Sequence, residues 1–477
     1  MFDYSKLFKA YDMRGTTPDL TAEVYYLAGK ALVEKILIPE KLLLKVNLFR
    51  DTRLSSPDFY KALYNGLVEA GAEVVLLGLG TTDMMYAACQ LFNTPGGIVT
   101  ASHNPKDDNG FKFVKKVPNM LGLEDGLDKV RDYVLENIES TKIDLGSMLE
   151  PVENEEAKAK VLDFFLEKVT LVGEIDKINS KIASFRKKMK VVVDTANGMG
   201  GFIMPEIAKL YPNIEFIPLY WELDGNFPNH PANPTIAENM IDLEKAVLEY
   251  GADLGVAFDG DADRVYFVDE KGVSLNGEFL VALLSKYMVK EAYHKPELGL
   301  NPAVVSVISY GRASVNTTLE ANGVPILSKQ GHTFVKAQMK KYNAIYGGEA
   351  SGHHYFGDFG YMDSGAITLA LFLRILIEKE VLPSALLLEF SDKYFVSGER
   401  NFVLPEGLNM ATIKEKIKSK YADGAISELD GITAYYLDWK FTIRGSNTEP
   451  LLRINLETIG LDKTGEKLAE LKSVIGI

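Results

Sequence analysis

Three aspartates alternate with small residues in FDGDADR, residues 258 to 264, directly after the apolar run Leu254–Phe258. If the loop is extended, the alternation throws Asp259, Asp261 and Asp263 to one side, where they repel unless a cation neutralises them. Hard oxygen ligands of this kind select Mg2+ or Ca2+. A calcium loop also begins D-x-D-x-D, and Glu270 falls at its twelfth position. Its sixth position needs a glycine and here is Arg264, and the flanks read as strands rather than helices. A solvated acidic turn is the plain alternative.

A second stretch, VTASHNPKDDNGFKF, residues 99 to 113, puts Ser102 after a strand-like run and beside His103, Asn104 and Pro105. Pro105, Asn104 and Asp108 favour a bend, so the serine either caps a turn or acts as a nucleophile. No G-x-S-x-G elbow surrounds it, which leaves a hydrolase reading little support. Lys112, ten residues on, can fold back over the bend. A third stretch, GGEASGHHYFGDFG, residues 347 to 360, offers Glu349, whose two oxygens can grip two adjacent sugar hydroxyls, then Ser351, His353 and His354. Four of the six histidines, His103, His332, His353 and His354, lie in these polar loops. The fourth stretch, RGSNTEPLLRI, residues 444 to 454, gathers Arg444, Ser446, Asn447 and Thr448 into a donor-rich cradle of the kind a phosphate needs, unless it is only a capped turn.

The elements that must carry these loops alternate helix, glycine, strand and polar loop, as in KALYNGLVEAGAEVVLLGLGTT, residues 61 to 82. That rhythm predicts α/β units with mostly parallel sheets, whose ligands sit at the carboxyl ends of the strands. Breaks near residues 151, 272 and 391 divide the chain into segments 1–150, 151–272, 273–390 and 391–477, the last more α+β in pattern. Length alone, at 477 residues, suggests about three domains. A formal charge of −14 argues against nucleic-acid binding. The single cysteine, Cys89, excludes intrachain disulfides and fits a reducing compartment. The apolar AITLALFLRILI, residues 366 to 377, is too short for a bilayer and contains Arg374, so it reads as a buried helix. The N-terminus lacks an apolar signal region, and the expectation is a soluble cytoplasmic protein that binds no membrane.

Taken together, YDMRG, TASHNP, DGDADR, GEASGH and RGSNTEP resemble the α-D-phosphohexomutases in order and spacing over essentially the whole chain. The resemblance implies four domains around one central cleft, three with mixed, mostly parallel sheets flanked by helices and a smaller α+β C-terminal domain. It implies a phosphoserine at Ser102 and Mg2+ held by Asp259, Asp261 and Asp263 and touching Ser102. Glu349 and Ser351 would read the sugar hydroxyls, and Arg444, Ser446, Asn447 and Thr448 would clamp the non-reacting phosphate. Lys112, His103, His353 and Arg14 become candidates for proton transfer or charge stabilisation. Tyr11, Arg264, His332 and Arg453 would stand near the cleft. Two departures are visible: Phe49 replaces a glycine usual before RDTR, and SYGRAS, residues 309 to 314, is diverged.

The implied reaction passes a phosphoryl group from Ser102 to O1 or O6 of a hexose monophosphate, through a hexose 1,6-bisphosphate that also serves as activator. A clamp that works in both orientations must read features that survive the flip, and O3 and O4 do. The same logic leaves C2, where glucose and mannose differ, unread; it is GHHYFGDF with MDSGA, and RGSNTEP, that look most like the phosphomannomutase branch, so mannose is favoured with glucose possible. The alternatives are a phosphoglucosamine mutase, a phosphatase, and a non-catalytic sugar-phosphate binding protein. The partners expected are small hexose phosphates, and the chain is expected to be a monomer or homodimer.

Overall fold

The computed structural model describes residues 2–184, 188–293, 301–404, 407–445 and 451–477. The chain forms two compact units, Met1–Leu275 with Ser351–Pro383, and Asn276–Ala350 with Ser384–Ile477.

The first unit contains two mixed sheets. In one, Lys45–Arg50 runs parallel to both Gly96–Val99 and Glu73–Leu79, so the loops after Arg50 and Val99 leave the same end of the sheet. The chain then returns antiparallel as Asp108–Lys116, with Lys112 opposite Ile98, and Met13–Thr16 closes the far edge. Period-two alternation is absent from Lys45–Arg50, whose Val46, Asn47, Leu48 and Phe49 are all buried, because helices cover both faces. Helices Ala22–Ala31 and Ser56–Glu69 pack on this sheet through Leu27, Ala31, Phe59, Leu63 and Leu67.

The second sheet has Met189–Asp194 parallel to Ile214–Leu219 and to Leu254–Phe258. Val265–Val268 is added antiparallel at its edge. Leu254–Phe258 is buried throughout, and the acidic loop connects it to the edge strand. The run predicted as a buried helix is Gly365–Lys379, buried from Gly365 to Ile377 and started by Ser364, whose side chain accepts from the Ile367 N–H. It packs beside Glu155–Gly173 and Ile175–Ile182. A short antiparallel hairpin, His354–Phe356 with Met362–Asp363, precedes it.

In the second unit, Ala303–Val307 runs parallel to Val324–Ser328 and Tyr346–Gly348. A wholly antiparallel sheet follows, with Leu451–Ile459 paired to Trp439–Gly445, Tyr394–Val396 and Arg400–Val403. Helices Met410–Lys420 and Thr464–Ile475 cover one of its faces through Ile413, Ile417, Leu471 and Ile475. Three mixed sheets flanked by helices and a C-terminal antiparallel sheet with its own helices match the four-domain α/β architecture expected. No described helix is long and apolar enough to cross a membrane.

Candidate active site

Ser102 opens the bend after Val99 in a left-handed conformation, φ +51°, an uncommon state for a residue with a Cβ and one that surrounding contacts must enforce. Its side chain is buried and donates to Asp259 Oδ2 at 2.9 Å. The same hydroxyl accepts from Arg264 Nη2 at 2.9 Å. Gly260 explains the close approach: a Cβ there would stand 2.3 Å from the Ser102 carbonyl oxygen.

The acidic loop is not extended. Ala262 has φ +62°, its N–H donates to the Asp259 carbonyl at 3.1 Å, and the Arg264 N–H donates to Asp259 Oδ1 at 3.2 Å. A tight turn, rather than strand alternation, gathers the three carboxylates to within 4.8 Å of one another, where they could hold a metal ion. Lys112 Nζ reaches across from the first sheet to Asp261 Oδ2 at 2.6 Å and Asp263 Oδ2 at 2.7 Å. Burial would raise the Asp261 carboxyl, but the Lys112 charge and hydrogen bonds from Lys112 and Thr82 hold it well below the usual range. Burial pulls the Lys112 ammonium down, and the charges of Asp261 and Asp263 outweigh it and raise it. Asp261 Oδ1 and Asp263 Oδ1 remain buried with no hydrogen-bond partner among the described residues.

Other predicted groups stand around this cluster. Arg14 donates to Asn104 Oδ1 at 2.8 Å and pairs with Asp12 at 2.5 Å. His103 Nδ1 lies 3.4 Å from Ser102 Oγ and accepts from Arg264. Burial, with the charges of Arg264 and Arg14, keeps that imidazole well below its ordinary pKa. His353 Nδ1 is 2.6 Å from Asp363 Oδ2 and 3.9 Å from Asp263 Oδ1. Burial works against protonation there, but the Asp263 charge and the Asp363 hydrogen bond outweigh it. Its neighbour His354 is buried on a strand and pushed down to about 3, first by burial and then by the charge of His353. The Ser351 carbonyl accepts from the Tyr266 hydroxyl. Tyr11 is half-buried in the segment leading into Met13–Thr16.

The second unit carries the remaining candidates. Glu349 is buried at the end of Tyr346–Gly348 and accepts from the Gly331 N–H at 3.2 Å, next to His332 at the start of helix His332–Tyr342. Arg444 and Arg453 face each other across paired strands. Both reach Glu399, at 2.5 Å and 3.2 Å. Ser446, Asn447 and Thr448 lie outside the described residues.

Three family signatures cover most of the chain. They are the α/β/α domains I, II and III of phosphoglucomutase/phosphomannomutase, at residues 5–139, 165–272 and 276–394. The chain is 36% identical over 462 residues to the phosphohexose mutases of Xanthomonas campestris, covering 95% of each. It is 35% identical over 483 residues to the phosphomannomutase of Vibrio cholerae, covering 98% of each. A solved phosphoglucomutase/phosphomannomutase family protein from Burkholderia thailandensis superposes with a TM-score of 0.81 at 27% identity, over 99% of this chain and 98% of that one. The chain belongs to the phosphoglucomutase/phosphomannomutase family. Its reaction is a mutase reaction, an isomerisation of hexose phosphates.

Several groups that hold the predicted residues of each unit in place were not singled out from sequence. Thr82 Oγ1 donates to Asp261 Oδ2 at 2.5 Å, Asp363 orients His353, and Glu399 joins the two arginines. Arg53 is the largest omission. Its five N–H donors all find acceptors: Asp51 Oδ2 and the carbonyls of Ser102, Asn104, Pro105 and Asp108. The RDTR run was visible in the sequence, but nothing local marks its second arginine as the post around which the serine bend is wrapped.

Proposed function

We propose that this phosphohexomutase interconverts hexose 1-phosphate and hexose 6-phosphate, mannose before glucose, through a phosphoserine at Ser102 and a hexose 1,6-bisphosphate. One observation carries the reading. The Ser102 hydroxyl lies 2.9 Å from both an aspartate of the acidic trio and the Arg264 guanidinium, in a buried cluster that Lys112 also enters. An anionic phosphoryl group on that oxygen would adjoin the Arg264 guanidinium, and the acidic trio beside it calls for a cation to offset its charge.

The trio fits Mg2+. Three carboxylates share the site, two of their oxygens are buried without a hydrogen-bond partner among the described residues, and all are hard donors. The ion would be held by Asp259, Asp261 and Asp263 with an oxygen on Ser102, and when bound it would supply positive charge against the phosphoryl oxygens.

In the first half-reaction the Oγ–P bond of phosphorylated Ser102 breaks. A bond forms from phosphorus to O1 or O6 of the sugar, whose hydroxyl proton passes to a nearby base. Arg264, Lys112 and Arg14 spread the charge of the transferring group, and His353 and His103 are the candidate proton carriers. The bisphosphate turns end for end, and the reverse transfer rephosphorylates the serine. Glu349 and Ser351 read O3 and O4. Arg444, Ser446, Asn447, Thr448 and Arg453 grip the non-reacting phosphate, and Tyr11 and His332 line the sugar. The domains follow the sequence breaks at 150, 272 and 390. The mannose preference is supported by the phosphomannomutases among the relatives.

A coupled assay of mannose, glucose and glucosamine 1-phosphates with Mg2+ and a catalytic amount of bisphosphate tests the reading. The expected order is mannose, then glucose, with little turnover of glucosamine phosphate. Glucosamine leading, or turnover without any need for bisphosphate, would overturn it.

A further inference from the structure

We propose that Asp194 and His230 form a positioning pair for the phosphate-carrying serine, acting through Phe227 and Arg53. This rests on the reading that Ser102 carries the phosphoryl group.

The bend from Ser102 to Asp108 hangs on one guanidinium. Arg53 is buried, and its in-plane donors are fully used by that bend and by Asp51. Its face is covered by the Phe227 ring, with the guanidinium carbon 5.2 Å from the ring centroid. Phe227 belongs to a segment without regular structure, DGNFPNHPA, residues 224 to 232, laid directly on the RDTR loop. A Cβ at Gly225 would stand 2.5 Å from the Thr52 carbonyl oxygen. The other end of the segment touches the acidic loop, since a Cβ at Gly260 would meet Ala232 at 3.5 Å. One irregular segment therefore backs both loops of the phosphoryl site.

That segment is fixed by polar groups at the carboxyl end of Met189–Asp194. His230 Nε2 is 2.9 Å from Asp194 Oδ2, and His230 Nδ1 is 3.0 Å from the Pro231 carbonyl. Both ring nitrogens face acceptors, so the doubly protonated imidazolium satisfies them both. The second Asp194 oxygen is held by the Ala196 N–H at 2.8 Å. Asn197 accepts from Asn229 at 2.8 Å and donates to the Glu222 carbonyl at 2.8 Å. Ala196, Asn197, Tyr220 and Phe227 all have left-handed backbone, φ +46°, +59°, +56° and +48°. Strain of this kind persists where surrounding contacts over-determine it and clusters where a fold sets up chemistry. Here it lies behind Ser102, which is itself left-handed.

The test uses the full-length protein with His230→Ala and Phe227→Leu, read by steady-state kinetics and by amide hydrogen exchange of residues 101–108. Because a small misplacement of a reacting group is costly, kcat should fall by about tenfold to a hundredfold. KM for the hexose phosphate should be unchanged, and exchange in the bend should accelerate while the strand Leu254–Phe258 keeps its protection. His230→Gln, which keeps one donor towards Asp194, should recover part of the loss. Wild-type kcat in His230→Ala, a loss carried wholly by KM, or unchanged exchange at 101–108 would overturn the proposal. If His230→Ala does not fold, Phe227→Leu decides by the same criteria. Should Ser102→Ala keep full turnover, the phosphoserine reading fails instead, whatever the exchange data show.

Discussion

Lys112 Nζ and Asp261 Oδ2 stand 2.6 Å apart although 149 residues separate them in sequence. The contact joins the first sheet to the acidic loop of the second, and a second bond to Asp263 makes the lysine an internal counter-ion for two buried carboxylates. Lys112 and Arg264 together oppose three aspartates, which leaves the cluster short of one positive charge.

Replacing Lys112 with Met follows from that count. Breaking a buried ion pair from one side costs roughly 3–5 kcal/mol, because the remaining charge is stranded. In the presence of a chelator, Lys112→Met should melt well below the wild type. Mg2+ should then raise the melting temperature of the variant more than that of the wild type. Removing the competing lysine tightens the ion's binding, and a ligand of the folded state stabilises by an amount that grows with the logarithm of its free concentration over Kd. Equal Mg2+ shifts in the two proteins would show that the lysine and the ion do not share the carboxylates.

Ser102→Ala should abolish mutase turnover and leave the fold intact, since losing a hydroxyl bonded to charged groups costs about 1.5–3 kcal/mol and Asp259 and Arg264 stay paired with each other. Intact mass spectrometry after incubation with a hexose 1,6-bisphosphate should show one added phosphoryl group on the wild type and none on the variant. Near-normal turnover of the variant would refute a serine carrier.

Gly260→Ala is the most economical test of the close approach between the two loops. The new Cβ would stand 2.3 Å from a backbone oxygen of Ser102, and backbone cannot swing aside as a side chain does. Overpacking of this kind costs about 1–3 kcal/mol, and here it would push the hydroxyl away from Asp259. Urea unfolding should show the lost stability, and turnover should fall with it. An unchanged midpoint with wild-type activity would mean that the loops are not in contact in solution.

The chemistry of the site was more legible than its support. Ser102 and the three aspartates announce themselves because carboxylates, hydroxyls and a histidine are crowded into short loops directly after apolar strands. The buried helix Gly365–Lys379 was equally plain from its unbroken apolar run. The geometry of the aspartate loop was misread as extended: alternation of Asp with Gly and Ala fits a strand, but Ala262 takes a left-handed turn that its type does not advertise. Arg53, Asp363 and Asp194 went unnoticed for another reason. Arg53 and Asp194 act on partners distant in sequence, 49 residues away for Arg53 and Ser102 and 36 for Asp194 and His230, while Asp363 meets His353, ten residues away, only once the hairpin between them has formed. A one-dimensional pattern holds no sign of which loops the sheets will bring together.

The Asp194–His230 pair makes the stability of this support depend on pH. Burial disfavours the imidazolium, but the hydrogen bond and charge of Asp194 outweigh it, with the Pro231 carbonyl and Asp242 adding to them, so His230 is raised above its ordinary pKa. Tyr220, which packs edge-on to the ring at 5.6 Å and donates to Asp242, adds no charge of its own near neutrality. The folded state therefore binds the proton more tightly than the unfolded chain. The stabilisation is fully present below the unfolded value of about 6.5 and is lost as pH rises through the higher folded value. Asp194→Asn should thus destabilise the protein more at pH ~6 than at pH ~9, because only the protonated ring gains from the carboxylate. Proton NMR of the His230 ring should place its midpoint above that of a free histidine in the wild type and lower in Asp194→Asn. A midpoint indifferent to the substitution would show that the pair does not hold the proton.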